Sequence, residues 1–313
     1  MINQSNILQW QHDLYKKYLS FRKKCNNCTP STEKTVHAAI YSFYEFINMQ
    51  NVENISDVQS VDLKNWSIHL IHLKTRTRNL YVSQLRIFFE YLAEENIVSG
   101  TLPMALMYSH APITTIVDTL TEEQLDIIND YRINASTAIE LRNIAIVLLG
   151  LKMGIRSIDI FQLELSDISW KERTISFEQK KTGVFTMLPF STEVGNSVYR
   201  YITEGRPRNS KSNRVFLSHN PPYDGLKHSS IVRNSLKQIF LKENVSVPKG
   251  FHITRKTFAS NLLCSGNTID MIATALGHSS LRNIDPYLST DDKNLRLCGI
   301  GCENINYKGV YGL

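Results

Sequence analysis

Apolar residues in this chain recur mostly at three- and four-residue spacing and alternate one-for-one in only a few short stretches, so the pattern predicts a mainly α protein with a small β-sheet. Residues 5–24 read as an amphipathic helix, with Ile7, Leu8, Leu14, Tyr15, Tyr18 and Leu19 on one stripe and Lys16, Lys17, Arg22, Lys23 and Lys24 outside it. The basic end suits either contact with a DNA backbone or plain complementarity to the helix dipole. After a polar break from Cys25 to Pro30, Ser31 or Thr32 can cap a helix from Glu33 to Met49 carrying Val36, Ile40, Phe43, Tyr44 and Ile47 inward. A third helix after Ser60 would bury Leu63, Trp66, Ile68, Leu70 and Ile71. A fourth, from about Thr75, would bury Leu80, Leu85, Ile87, Phe88, Tyr91 and Leu92 before Asn96, Ser99-Gly100 and Pro103 end it.

Residues 103–120 hold two prolines and little periodicity, which predicts a linker over 104–118 between a helical domain over 1–103 and a second domain over 119–290. Thr121 to Gln124 is a capping box opening a helix over 121–133. The apolar helix 138–152 reads as the buried centre of the second domain, and Gly154 ends it ahead of a short helix from Ser157 to Leu163. Residues 174–178 and 184–190 alternate as strands around Lys180-Lys181-Thr182-Gly183, a hairpin turn with glycine where positive φ is needed. A helix over 193–204 capped by Ser191 or Thr192, a third short strand Val215-Phe216-Leu217 and a helix over 229–242 follow. A helix after Phe251, a break at Gly266-Asn267 and a short helix from Thr268 to Leu276 complete the pattern.

With 313 residues, 42% of them hydrophobic and 20% charged, the chain can build two cores. A net charge of +6 suits a nucleic-acid binder but also many soluble enzymes. No apolar run is long enough to span a bilayer and the first residues lack a signal-peptide core, so no membrane partner and a cytoplasmic location are expected. Five cysteines in no regular framework predict reduced thiols. Cys25 and Cys28 have zinc-ligand spacing but no second pair, so they are expected to be ordinary loop cysteines and no metal is expected.

The chemistry concentrates between Phe251 and Tyr287. His252 and Arg255 stand three apart on one helix face and can hold one anion between them, with phosphate the best fit. Leu276-Gly277-His278 follows, and Tyr287 comes nine residues after the second histidine. This run resembles the active-site half of the tyrosine recombinases, the phage-integrase family. Gly154-Ile155-Arg156-Ser157-Ile158-Asp159 resembles the family's first arginine box, and Gln179-Lys180-Lys181-Thr182-Gly183 its lysine hairpin. The five elements stand in the family's order.

The resemblance implies a four-helix SAM-like core-binding domain, an α+β catalytic domain, and a site-specific DNA recombinase that works through a 3′-phosphotyrosyl intermediate and a Holliday junction. It assigns Tyr287 as nucleophile. Arg156, Lys181, His252, Arg255 and His278 act around the phosphate, and Asp159 steadies Arg156. Lys180 is the reserve for Lys181. No cofactor is implied, in keeping with the absence of a Walker loop or a two-metal acidic cluster.

The segment from Lys74 to Arg86 places Lys74, Arg76, Arg78, Asn79, Ser83 and Arg86 at and after a helix N-terminus, which favours phosphate, and it looks like the family's major-groove helix. Arg233 and Lys237 are expected on the DNA backbone. The implied partners are double-stranded DNA and three further protomers on paired sites, with accessory proteins left open. In the family, the tail after Tyr287, here 291–313, docks on a neighbouring protomer. Nothing matches an added arm-binding domain, which leans the expectation toward a transposon-type integrase or a resolvase. Two alternatives stand beside it: a type IB topoisomerase, which shares the catalytic set, and a catalytically silent architectural DNA-binding protein.

Overall fold

The computed structural model describes residues 7–25, 28–110, 117–243 and 245–277. The chain divides into two compact units, 1–114 and 115–313, each with its own hydrophobic core.

The first unit is built from α1 (Gln9–Lys24), α2 (Pro30–Met49), α3 (Ser60–His69) and α4 (Thr75–Glu94). Its centre is aromatic: Tyr18, Phe43, Tyr44, Trp66, Phe88 and Phe89 are fully buried, and Phe43 meets Trp66 and Phe89 edge-on at centroid distances of 5.9 and 5.4 Å. Several expectations change in detail. Helix α1 starts at Gln9, not residue 5, and Leu8 is exposed, because Gln11 turns inward. The Gln11 amide exchanges two hydrogen bonds with Asn48 (2.7 and 3.1 Å) and accepts a third from the Leu8 N–H. Thr29, not Ser31 or Thr32, caps α2, with Pro30 in the first turn, where its missing N–H costs nothing. Ile68, Ile71, Leu80 and Ile87, all expected inside, face solvent, and Val82 and Phe89 are buried in addition to the expected set.

Both ends of the stretch expected as linker are packed. Leu106 is buried in the first core, Ser109 exchanges two backbone hydrogen bonds with the Asn79 side chain, and Val117 packs with Ala259, Leu263, Ile272 and Leu276 of the second unit.

The second unit contains α5 (Glu122–Asn134), α6 (Ala138–Met153), α7 (Ser157–Gln162), β1 (Ile168–Ser169), β2 (Thr174–Glu178), β3 (Phe185–Pro189), α8 (Thr192–Arg200), α9 (Ser229–Lys242), α10 (His252–Cys264) and α11 (Ile269–Leu276). Capping boxes at Thr121/Gln124 and Thr137/Glu140 start α5 and α6. Helix α6 is buried from Leu141 to Leu151, Arg142 and Asn143 included, and forms the axis of the unit, packed against α8, α9 and α10. The antiparallel sheet runs β1-β2-β3, with Ile175 opposite both Ile168 and Leu188.

The third strand is therefore β1 and not the expected 215–217. Val215, Phe216 and Leu217 are fully buried, but their backbone is satisfied elsewhere. The Val215 N–H donates to the Leu163 carbonyl (2.9 Å), the Leu217 N–H to the Tyr201 hydroxyl (3.1 Å), and the Leu217 carbonyl accepts from the buried Arg142 (3.1 Å). With those groups occupied, the apolar run needs no sheet edge.

The α6–α10 crossing depends on Gly150. A Cβ there would stand 2.5 Å from Thr254 Oγ1 and 2.9 Å from the Phe251 ring, both buried. Alanine is the better helix former by about 1 kcal/mol, whereas overpacking a tight core costs about 1–3 kcal/mol. Gly150→Ala is therefore expected to destabilise the protein by up to about 2 kcal/mol net in urea unfolding. An unchanged or raised midpoint would mean that α10 can move away from α6 without cost.

Candidate active site

Among the described residues, the expected catalytic residues Arg156, Lys181, His252 and Arg255 gather where three helix ends and the β2–β3 hairpin meet. Phe251 precedes α10, so His252 is the first helical residue and Arg255 stands one turn on. Arg255 is only 3% exposed, and a buried cation needs compensation. It donates Nη1 to the Gly154 carbonyl and Nη2 to the Leu276 carbonyl, each at 2.6 Å. Gly154 is the left-handed cap of α6 and Leu276 the last residue of α11. Carbonyls at helix C-termini lack intrahelical partners and carry the negative end of the helix dipole. Two such ends hold this guanidinium.

Two residues after Gly154 the chain reaches Arg156, the residue before α7. Its Nη1 donates to Gln179 Oε1. Gln179 follows β2 and is buried, and its amide also accepts from Thr182 Oγ1 (3.0 Å) and donates to Thr186 Oγ1 (2.9 Å) and the Leu276 carbonyl (3.3 Å). The Gln179 main chain closes the lysine turn, its carbonyl accepting from Gly183 N–H (2.8 Å) and its N–H donating to Val184 (3.0 Å). Gly183 takes φ +67°, which leaves Lys180 and Lys181 exposed at the tip.

Asp159 has a more specific place than the arginine support expected of it. It is buried, and its Oδ1 accepts from the Lys180 backbone N–H at 2.9 Å, so the carboxylate fixes the hairpin. Burial raises its pKa, opposed by that hydrogen bond and by the charges of Arg156, Arg255 and Lys180.

His252 is exposed at the surface but set among protein and cations. The crowding of its ring, then the charges of Arg255, Lys256, Arg156 and Lys181, push its pKa down to about 4, so it is neutral near pH 7. His278 and Tyr287 lie outside the described residues, as does the 291–313 tail. The last described residue, Gly277, directly precedes His278 and has φ +59°.

The expected DNA-contact residues fare unevenly. Lys74 and Arg76 are exposed at the start of α4, and Ser83 is half-buried. Arg86 pairs with Glu90 at 3.4 Å, and Arg78 is half-buried. Asn79 is a correction: both ends of its amide are engaged by Ser109, so it is committed to the chain and not presented to a base. Arg233 and Lys237 are exposed one turn apart on α9. Among the described residues no group of His, Cys, Asp and Glu could hold a metal, and no helix is long and apolar enough to cross a membrane.

Gln179 was not singled out by the sequence reading, although a signal exists. It continues the inward register of Ile175 and Phe177, and a glutamine at an apolar position must have partners.

Comparison with known proteins agrees with this architecture. The phage integrase family profile matches residues 118–294. The chain is 33% identical over 157 residues to the integrase/recombinase y4gC of Sinorhizobium fredii, covering 50% of this chain and 80% of that protein. It is 30% identical over 225 residues to the tyrosine recombinase XerC of Anoxybacillus flavithermus, covering 69% and 71%. To y4rA, another S. fredii integrase/recombinase, it is 29% identical over 229 residues, covering 72% of this chain and 54% of that one. The fold matches XerH recombinase bound to its difH substrate (TM-score 0.69, 18% identity, 94% of this chain and 89% of that one) and a λ integrase dimer bound to a core site (TM-score 0.68, 17% identity, 90% and 94%). These relatives do not favour the topoisomerase or architectural alternatives. The chain belongs to the phage integrase family, the tyrosine recombinases that break and rejoin DNA at specific sites.

Proposed function

We propose that this chain recombines double-stranded DNA with Tyr287 as nucleophile and Arg156, Lys181, His252, Arg255 and His278 around the scissile phosphate. The observation that carries the reading is the hydrogen-bonded frame in which Arg156 and Arg255 are held together, one turn from a neutral His252 and next to the residue that leads into His278.

A tyrosine hydroxyl titrates near about 10 and attacks poorly unless charge surrounds its target. The two arginines supply planar, permanently charged donors for the non-bridging oxygens and for the extra charge of the pentavalent transition state. The Tyr287 oxygen bonds to phosphorus as the bond to the 5′ oxygen breaks. The phenolic proton passes to a base, and neutral His252 or His278 can take it. A proton from Lys181 goes to the leaving oxygen. Lys181 is favoured over Lys180 because its charge bears on His252, whereas the charge and main chain of Lys180 act on Asp159. The bond energy is kept in the 3′-phosphotyrosine, so rejoining by the reverse attack needs neither a nucleotide nor a metal.

Exchange between two duplexes cuts four strands, so four protomers are expected on paired sites. The two exposed cationic sets, Lys74 and Arg76 on α4 and Arg233 and Lys237 on α9, are assigned to DNA, with Ser83, Arg78 and Arg86 as lesser candidates.

With nicked duplexes carrying core sites from DNA flanking the gene, a covalent protein–DNA band should form in chelator, disappear in Tyr287→Phe, and form about 10²–10³-fold more slowly in Arg156→Ala. Survival of the band in Tyr287→Phe would show that another residue attacks. Sedimentation on paired sites should find two duplexes with four protomers; a complex of one protomer per duplex that still exchanges strands would refute the tetramer.

The pH dependence of binding follows from His252. Free, it binds a proton only below about pH 4; a bound phosphate offsets the four cations and raises that pKa toward its ordinary value. Between those values the complex holds more protons than the free protein, so DNA affinity at fixed salt should rise as pH falls from 6.5 toward 4.5. His252→Asn should flatten part of this slope in fluorescence anisotropy, and an identical slope in the variant would remove His252 from the phosphate.

A further inference from the structure

We propose that Gln179 is a positioning residue for the reaction: a neutral clamp that fixes Arg156, the lysine hairpin and the Gly277 turn as one unit. The inference rests on the catalytic reading above and adds a residue to it.

Three observations carry it. First, the Gln179 amide is saturated. A primary amide has two N–H donors and an oxygen with two lone pairs. Oε1 accepts from Arg156 Nη1 and Thr182 Oγ1, and Nε2 donates to Thr186 Oγ1 and the Leu276 carbonyl. Rotating the amide by half a turn would set N–H against N–H at Arg156, so its orientation is determined by the partners.

Second, those partners close a ring. Arg156 bonds to Gln179, Gln179 to the Leu276 carbonyl, Leu276 to Arg255, and Arg255 to the Gly154 carbonyl two residues before Arg156. Each member is held from two sides, so no single arginine can shift without breaking another bond. Third, the turn after Leu276 is shaped around this side chain. A Cβ on Gly277 would stand 2.0 Å from Gln179 Nε2. Gly277 is thus required both by its positive φ and by the glutamine against it.

The choice of side chain points to catalysis. A leucine or methionine would suit the inward face of β2, and a carboxylate would hold Arg156 more strongly. A carboxylate would also cancel the charge that the phosphate needs. Only a neutral acceptor orients Arg156 and leaves its charge intact for the transition state.

The test uses the full-length protein and the nicked duplex. Adduct formation is timed in single turnover at saturating protein, with DNA affinity and melting temperature measured in parallel. Gln179→Met should bind DNA within about two-fold of wild type and melt within a few degrees of it, yet form adduct about 10- to 100-fold more slowly. Gln179→Glu keeps size and polarity should the methionine variant fold poorly, and it should be slowed as well, because its carboxylate neutralises Arg156. Gly277→Ala should slow the reaction in the wild-type background and cost markedly less in a Gln179→Ala background, since the clash has gone.

A wild-type rate in both Gln179→Met and Gln179→Glu overturns the positioning role while leaving the catalytic reading in place. So does a rate loss fully matched by lost DNA affinity, or one that vanishes well below the melting temperature. A wild-type protein that forms no adduct on any duplex overturns the catalytic reading, and the positioning role with it.

Discussion

Arg255 places a permanent positive charge where water scarcely reaches, and much of the second unit is arranged to make that tolerable. An unpaired buried charge costs several kcal/mol. The solution is geometric. Helices α6 and α11 end against the guanidinium, each lending an orphan carbonyl and about half a negative charge from its dipole. This compensation is strong enough to bury the arginine and partial enough to leave it cationic. The left-handed cap at Gly154 and the end of α11 at Leu276 are what bring those two carbonyls to the guanidinium.

The same logic extends outward by one layer. Arg156 is oriented by an amide, the hairpin is tied down through its main chain by Asp159, and His252 is kept neutral by the crowding of its ring and then by the cations beside it. Charge is therefore concentrated on the groups that can meet a phosphate, while the groups that hold them are dipoles or act on backbone N–H. Site and scaffold divide the electrostatics between them.

Much of this was legible in the sequence wherever one local rule decided the outcome. The capping box at Thr121, the buried helix α6, the Gly183 turn and the one-turn spacing of His252 and Arg255 are local signals, and each stands as read; the second box, at Thr137, was equally local. The misreadings fall where two rules competed. Ile68, Ile71, Leu80 and Ile87 have apolar spacing that suits a buried face but are exposed in the fold. Residues 215–217 read as a short strand from the sequence, yet side chains from Arg142 and Tyr201 satisfy backbone groups that a strand would have paired. Asn79 looked like a base reader because its residue type suits adenine, and only the fold reveals Ser109 beside it. Gln179 was visible as an oddity of register, but its partners come from residues 156 and 276, and a single sequence does not reveal which distant groups will converge.

That Arg255 is anchored by main-chain oxygens bears on how such a protein can diverge. Each of these two carbonyls asks only that the chain pass through a given point, whatever side chain stands there. Drift in the surrounding sequence then leaves the charge in register so long as the two helices stop where they do. The heritable quantity at this position is helix length, and an insertion or deletion of one residue in α6 or α11 would be a graver lesion than most substitutions along them.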